Sequence, residues 1–309
     1  MRRFAIFIFF SLFLCCFSYA TIAAMHGKND IWAAPDDLNC LPWAYNHQTK
    51  QCFQEVDAQL RNLIRRSGMT YVGNIQGSAF LIGKQCDQII STKHTLNYLD
   101  GSVRGVIPAS FFRNVYEANQ KITAKNRRSI QIVNSKTEPL TDLNDRKISS
   151  LNMSAIDHKL HSCPIVPMLT ANELKANLKK IDACLITSFN QDIANPDYKK
   201  RSTMTFQSHQ GLIEVNARTR GITSCKIEGF AHDGLIETDC DAVYSASGSP
   251  FFCKVKDDEW YLVGTLVSDT CYGASNYHHC LDPNTFGQPK HETLMLPFNQ
   301  KEIDRISSQ

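Results

Sequence analysis

Thr238-Asp-Cys-Asp-Ala-Val-Tyr-Ser-Ala-Ser-Gly-Ser-Pro-Phe-Phe-Cys253 is the stretch on which the reading of this chain turns. Its centre, Ser247-Gly248-Ser249-Pro250, follows small residues and runs into a Phe-Phe strand start. A serine becomes a nucleophile only when a base takes its proton and donors receive the developing oxyanion. A tight turn of Ser, Ala and Gly can present the hydroxyl and two backbone N–H groups at one spot. Ser-Gly-Ser-Pro is also ordinary loop composition, so the stretch needs partners elsewhere in the chain.

Two other stretches supply them. Gly77-Ser-Ala-Phe-Leu-Ile-Gly-Lys-Gln-Cys-Asp-Gln-Ile-Ile-Ser-Thr-Lys-His94 is two apolar runs joined by a turn and ending in a histidine. Ile181-Asp182-Ala-Cys-Leu-Ile186 plants an acid at the start of an apolar run. In chain order these give His, Asp, Ser, the order of the chymotrypsin type of triad. From about Tyr71 to the C-terminus the chain resembles the chymotrypsin-like (trypsin-fold) serine peptidases. It is most similar to the secreted bacterial trypsin-like and glutamyl-endopeptidase branch, where Cys-Asp precedes the nucleophile and Ser-Gly-Ser-Pro replaces Ser-Gly-Gly-Pro.

The resemblance implies roles for particular residues. His94 is the general base, since an imidazole can take a serine proton and return it to a leaving amine near neutral pH. The alternative is a surface histidine after a strand, one of 10 in the chain. Asp182 orients His94 and stabilises the imidazolium; Asp157, in Ser154-Ala-Ile-Asp-His, is its rival but lacks a following apolar strand. Ser247 is the nucleophile, and its N–H with that of Ser245 forms the oxyanion hole. The family usually has glycine where Ser245 stands, because that peptide needs an orientation glycine tolerates best. Ala246 replaces the acid that pairs with a freshly cut N-terminus in zymogen-activated trypsins. Asp241 matches the base of the primary pocket, where an acid selects Arg or Lys, with Ala242 and Leu266 as further lining. Glutamyl endopeptidases carry threonine and histidine at the positions of Ala242 and Leu266, so glutamate specificity is not expected.

At the N-terminus, Arg2 and Arg3 precede an apolar run from Phe4 to Phe17 and a small-x-small site at Ser18-Tyr-Ala20. This is the pattern of a signal peptide, cut after Ala20 or Ala24, and too short for a lasting membrane anchor. Of the 12 cysteines, Cys15 and Cys16 fall inside it. The even remainder in an exported chain points to a disulfide framework. No Cys-x-x-Cys pair or zinc-finger spacing occurs, so neither a metal nor another cofactor is expected. Cys40 with Cys52, Cys225 with Cys240, and Cys271 with Cys280 each bracket a short loop. The resemblance also supports Cys225–Cys240, and in many family members a bridge between the two halves lies near the position of Cys253. Cys86, Cys163, Cys184 and Cys253 retain three possible pairings.

Residues 25–68 read as an N-terminal extension or pro-segment. Val56, Leu60 and Ile64 stand one above another at helical spacing, and Arg65-Arg66 ends the helix or marks a processing site. From Tyr71, short apolar runs alternate with turn residues, a β-rich pattern. Val72–Ile75, Ser78–Ile82, Gln88–Ser91, Ser102–Ile107 and Ser129–Val133 are expected strands of a first domain (residues 69–195), with Ala183–Thr187 its last. Between Ser135 and Leu178 the pattern thins to an irregular connection with one helix, Thr170–Leu178. Residues 196–309 offer six further strands and a closing helix from Asn299 to Ile306. The expectation is an all-β chain of two six-stranded antiparallel β-barrels with a short C-terminal helix, the site in the cleft between them.

Thirty-three basic against 30 acidic residues give a net charge of +3, which implies no polyanionic partner. Lys125-Asn-Arg-Arg128 reads as a solvated loop rather than a nucleic-acid patch. The function expected is a secreted, monomeric serine endopeptidase acting on protein or peptide substrates, with no nucleic-acid partner and no membrane association after signal cleavage. The alternative is a catalytically silent relative used as a secreted binding module, motivated by Ser245 and by Ser-Thr-Lys-His-Thr where the family writes Thr-Ala-Ala-His-Cys.

Overall fold

The computed structural model describes residues 32–34, 38–46, 48–72, 75–96, 109–112, 129–133, 145–151, 165–189, 203–208, 211–216, 220–240, 242, 246–255, 259–271 and 291–308. The signal segment and the strand expected over Ser102–Ile107 lie outside them.

The N-terminal segment contributes strand β1 (Trp32–Ala33), a hairpin of β2 (Tyr45–Asn46) and β3 (Gln51–Cys52), and helix α1 (Ala58–Arg66). Cys40–Cys52 closes the hairpin as expected. The Asp57 carboxylate caps α1 by accepting from Leu60 N–H at 2.7 Å, and Arg65 and Arg66 sit at its C-terminal, negative end. Leu60, Leu63 and Ile64 are buried on one face. They join Leu38, Leu41 and Val56 in a core with Phe80, Ile82, Leu185, Phe252, Trp260 and Phe298. Arg66 is buried as well, its guanidinium over the Phe80 ring.

The first half is a closed six-stranded barrel, in the order β4 (Ser67–Val72), β5 (Ile75–Ile82), β6 (Gln88–Thr92), β9 (Arg146–Leu151), β8 (Ser129–Val133) and β7 (Ala109–Phe112). Val72 and Ile75 are cross-strand partners. The run read as one strand over Val72–Ile75 is therefore divided between β4 and β5. β9 lies inside the stretch read as irregular. Its sequence, Arg-Lys-Ile-Ser-Ser-Leu, carries only two apolar residues, too few to stand out. Short helix α2 (Lys93–Leu96) follows β6, and α3 (Ala171–Asn177), capped reciprocally by Thr170 and Glu173, is the expected connecting helix.

The second half is an eight-stranded antiparallel sheet built from β10 (Ile181–Phe189), β13 (Arg220–Cys225), β14 (Ile227–Phe230), β15 (Ile236–Thr238), β16 (Pro250–Val255), β17 (Glu259–Cys271), β18 (His291–Pro297) and β1. Its order is β1-β13-β10-β16-β17-β18-β15-β14. β11 (Thr203–Ser208) and β12 (Gly211–Asn216) pair as a separate hairpin. Helix α4 (Gln300–Ser307) closes the chain, capped by Asn299, with Ile303 and Ile306 against the core. The all-β class and the closing helix stand as expected, but strands are shared differently. β10, expected as the last strand of the first half, sits between β13 and β16. The N-terminal segment supplies an edge strand.

Cys225–Cys240 is bridged as expected, and Cys184 pairs with Cys253. Cys184 and Cys253 face each other across β10 and β16, so this bridge lies within the second sheet rather than between halves. Cys86 is disulfide-bonded too, and Cys280 lies outside the described residues. Phe80 and Phe252 meet edge to face at 5.3 Å and join barrel to sheet through one core. No helix among the described residues is long and apolar enough to cross a membrane.

Candidate active site

The pairing of β6 with β9 builds one side of the site. Thr92 and Arg146 are cross-strand partners, so the residues just beyond them, Lys93-His94 and Asp145, meet at the barrel's end. Lys93 N–H donates to the Asp145 carbonyl at 2.5 Å. His94 N–H donates to Asp145 Oδ1 at 2.9 Å, and the His94 ring Nδ1 lies 2.5 Å from Oδ2. One carboxylate thus fixes both the backbone and the ring of His94. The Asp145 side chain is 4 % exposed and that of His94 26 %. An ionised carboxylate can only accept, so in the neutral ring this contact places the proton on Nδ1 and the lone pair on Nε2. Thr92 and Thr95 hydroxyls, 2.9 Å apart, tie off the turn around His94.

The turn at Ser247 is built from the other half and seated on the barrel. Ser249 N–H and hydroxyl both donate to the Ala246 carbonyl, at 2.9 and 2.5 Å. Gly248 N–H donates to Leu266 O at 2.8 Å, and Leu266 N–H returns a bond to Ser249 O at 2.9 Å. Ser78 N–H, from β5, donates to the Ser247 carbonyl at 2.8 Å. Gly248 has φ +88°, and a Cβ there would sit 2.1 Å from Ser78 O and 2.4 Å from Ser91 Oγ. Glycine is therefore required twice, by its backbone angle and by the closeness of β5 and β6. Ser91 in turn lies on the strand that delivers His94. Ser247 is half-buried.

The other expected residues are placed as follows. Leu266 is buried and Ala242 half-buried against the same apolar cluster. Asp241, Ser245 and Asp157 lie outside the described residues. Asp182 is exposed, at the irregular start of β10 beside Val255. Val255 is at the far end of β16 from Pro250 and the nucleophile turn, roughly 16 Å along the strand. The acid against His94 is Asp145 instead. No group of three or more His, Cys, Asp or Glu among the described residues could hold a metal ion.

No family model and no curated protein matches the sequence. Solved structures do. Deg5 is 14 % identical at a TM-score of 0.42, over 68 % of this chain and 82 % of that one. The serine endoprotease from Yersinia pestis is 12 % identical at a TM-score of 0.43, over 81 % of this chain; the match spans 64 % of the Yersinia chain's length. An inactive mutant form of Rv3671c from M. tuberculosis H37Rv is 8 % identical at a TM-score of 0.44, over 82 % of this chain and 91 % of that one.

Proposed function

We propose that the protein is an exported serine endopeptidase whose triad is His94, Asp145 and Ser247. The observation that carries this reading is the two-point grip of Asp145 on His94, through Oδ1 on the backbone N–H and Oδ2 on Nδ1. Such a grip leaves Nε2 as the basic nitrogen, which is what a general base beside a serine requires. The seating of Ser247-Gly248 on β5 and β6 supports it from the other side.

In this reading Nε2 of His94 takes the Ser247 hydroxyl proton as Oγ attacks the scissile carbonyl. The tetrahedral oxyanion is received by the N–H groups of Ser247 and Ser245. His94 then gives the proton to the leaving amine, and water hydrolyses the acyl-enzyme by the same steps in reverse. Asp145 stays ionised and balances the imidazolium. We assign the primary pocket to Asp241, Ala242 and Leu266, since a carboxylate at the base of such a pocket favours a substrate Arg or Lys.

A fluorophosphonate probe tests this reading. Labelling at Ser247 that is lost in Ser247→Ala and His94→Ala supports it. A folded wild-type protein that does not react leaves the binding-module alternative instead.

A further inference from the structure

We propose that Arg146 is a positioning residue that holds the catalytic acid in register with the nucleophile turn across the two halves of the molecule. The inference rests on the reading of Asp145 as the acid of the triad.

Arg146 is the next residue after Asp145. Its backbone belongs to the barrel, through the pairing with Thr92, but its buried guanidinium is held, among the described residues, by partners from the other half. Nε donates to Thr265 Oγ1 at 3.2 Å, Nη1 to Glu302 Oε2 at 2.5 Å, and Nη2 to the Leu296 carbonyl. The guanidinium carbon lies 3.8 Å from the Phe298 ring centroid. These partners come from β17, the end of β18, the segment after it and helix α4.

The partner on β17 connects this anchor to the chemistry. Thr265 is the cross-strand partner of Pro250, and the next residue, Leu266, brackets the nucleophile turn through Gly248 N–H and Ser249 O. One side chain therefore runs from the residue beside Asp145 to the residue beside Leu266. The planar fork of arginine fixes several directions at once, which lysine cannot do. An apolar side chain of similar volume would fill the space without burying a charge, and such replacements are often neutral or stabilising. Burial pushes the Arg146 guanidinium down to about 10, against the opposing pull of Glu302. The arrangement thus gives direction where packing alone would need none. Glu302 also accepts from Asn299 N–H in the cap of α4, so the C-terminal helix is part of the same anchor.

The test is the rate of fluorophosphonate labelling of Ser247 against pH, in wild type, Arg146→Met, Arg146→Lys, Glu302→Gln and Asp145→Asn, with folding checked by thermal melting. Displacing a catalytic group by about 1 Å costs on the order of 10²-fold, and we expect that loss in Arg146→Met. Its acid limb should also move to lower pH, because a displaced Asp145 no longer stabilises the imidazolium. Arg146→Lys should recover part of the rate, and Glu302→Gln should shift the profile the same way by a smaller amount. Folded Arg146→Met and Glu302→Gln with wild-type rates and profiles would overturn the inference while Asp145→Asn remained impaired. If Arg146→Met does not fold, an unchanged Glu302→Gln profile overturns it alone. An unimpaired Asp145→Asn would remove the triad reading, and this inference with it.

Discussion

Thr92 and Arg146 face each other across β6 and β9, and that one register delivers His94 to Asp145. The site depends on strand pairing in the barrel before it depends on any side chain of the second half. A slip of one residue between β6 and β9 would move Asp145 along the barrel edge and separate it from His94.

Gly248→Ala should abolish labelling of Ser247 and lower the melting temperature. Left-handed backbone costs a non-glycine residue about 1–2 kcal/mol. The added methyl must also displace both Ser78 O and Ser91 Oγ, from positions 2.1 and 2.4 Å away. Wild-type labelling and melting in this variant would mean that the turn is not clamped on β5 and β6.

Non-reducing peptide mapping should find Cys40–Cys52, Cys184–Cys253 and Cys225–Cys240. Within the group of four whose pairing was open, it should find Cys86 joined to Cys163. Replacing Cys225 and Cys240 by alanine should cost about 3 kcal/mol on the loop-entropy account, read as a shift of the denaturation midpoint. Free thiols at both positions in the native protein would contradict this.

The segment containing α1 should remain in the mature protein. Its apolar side chains share a core with Phe80, Phe252, Trp260 and Phe298, and Arg66, the second residue of the dibasic pair, is buried. Leu60→Ala should destabilise by about 3 kcal/mol, measured by chemical denaturation. The intact mass of the mature protein should include residues 32–66. A fully active form that begins after Arg66 would show that the segment is dispensable.

Much of this was legible in the sequence. His94 and Ser247 sit beside strong apolar runs, and β5, β6, β16 and β17 are recognisable from those runs. The helix expected over Thr170–Leu178 corresponds to α3, and the closing helix expected over Asn299–Ile306, with Ile303 and Ile306 on one face, to α4. Asp145 was hidden because β9 keeps only Ile148 and Leu151 as apolar residues and buries Arg146 and Ser149 instead. Asp182 stood out because β10 is strongly apolar, but that strand serves the second sheet. Periodicity reports burial of a strand and not which sheet receives it, so pairing partners far apart in the chain stayed out of reach. β1, two residues long, gives almost no pattern at all.

The most direct measurement is steady-state peptide hydrolysis by Asp145→Asn and Asp182→Asn beside wild type. The geometry predicts a loss of about 10⁴-fold in kcat for Asp145→Asn, since an amide favours the wrong tautomer of His94. It predicts a turnover within a few-fold of wild type for Asp182→Asn, whose side chain is exposed at the start of β10. An active Asp145→Asn beside a crippled Asp182→Asn would contradict the account.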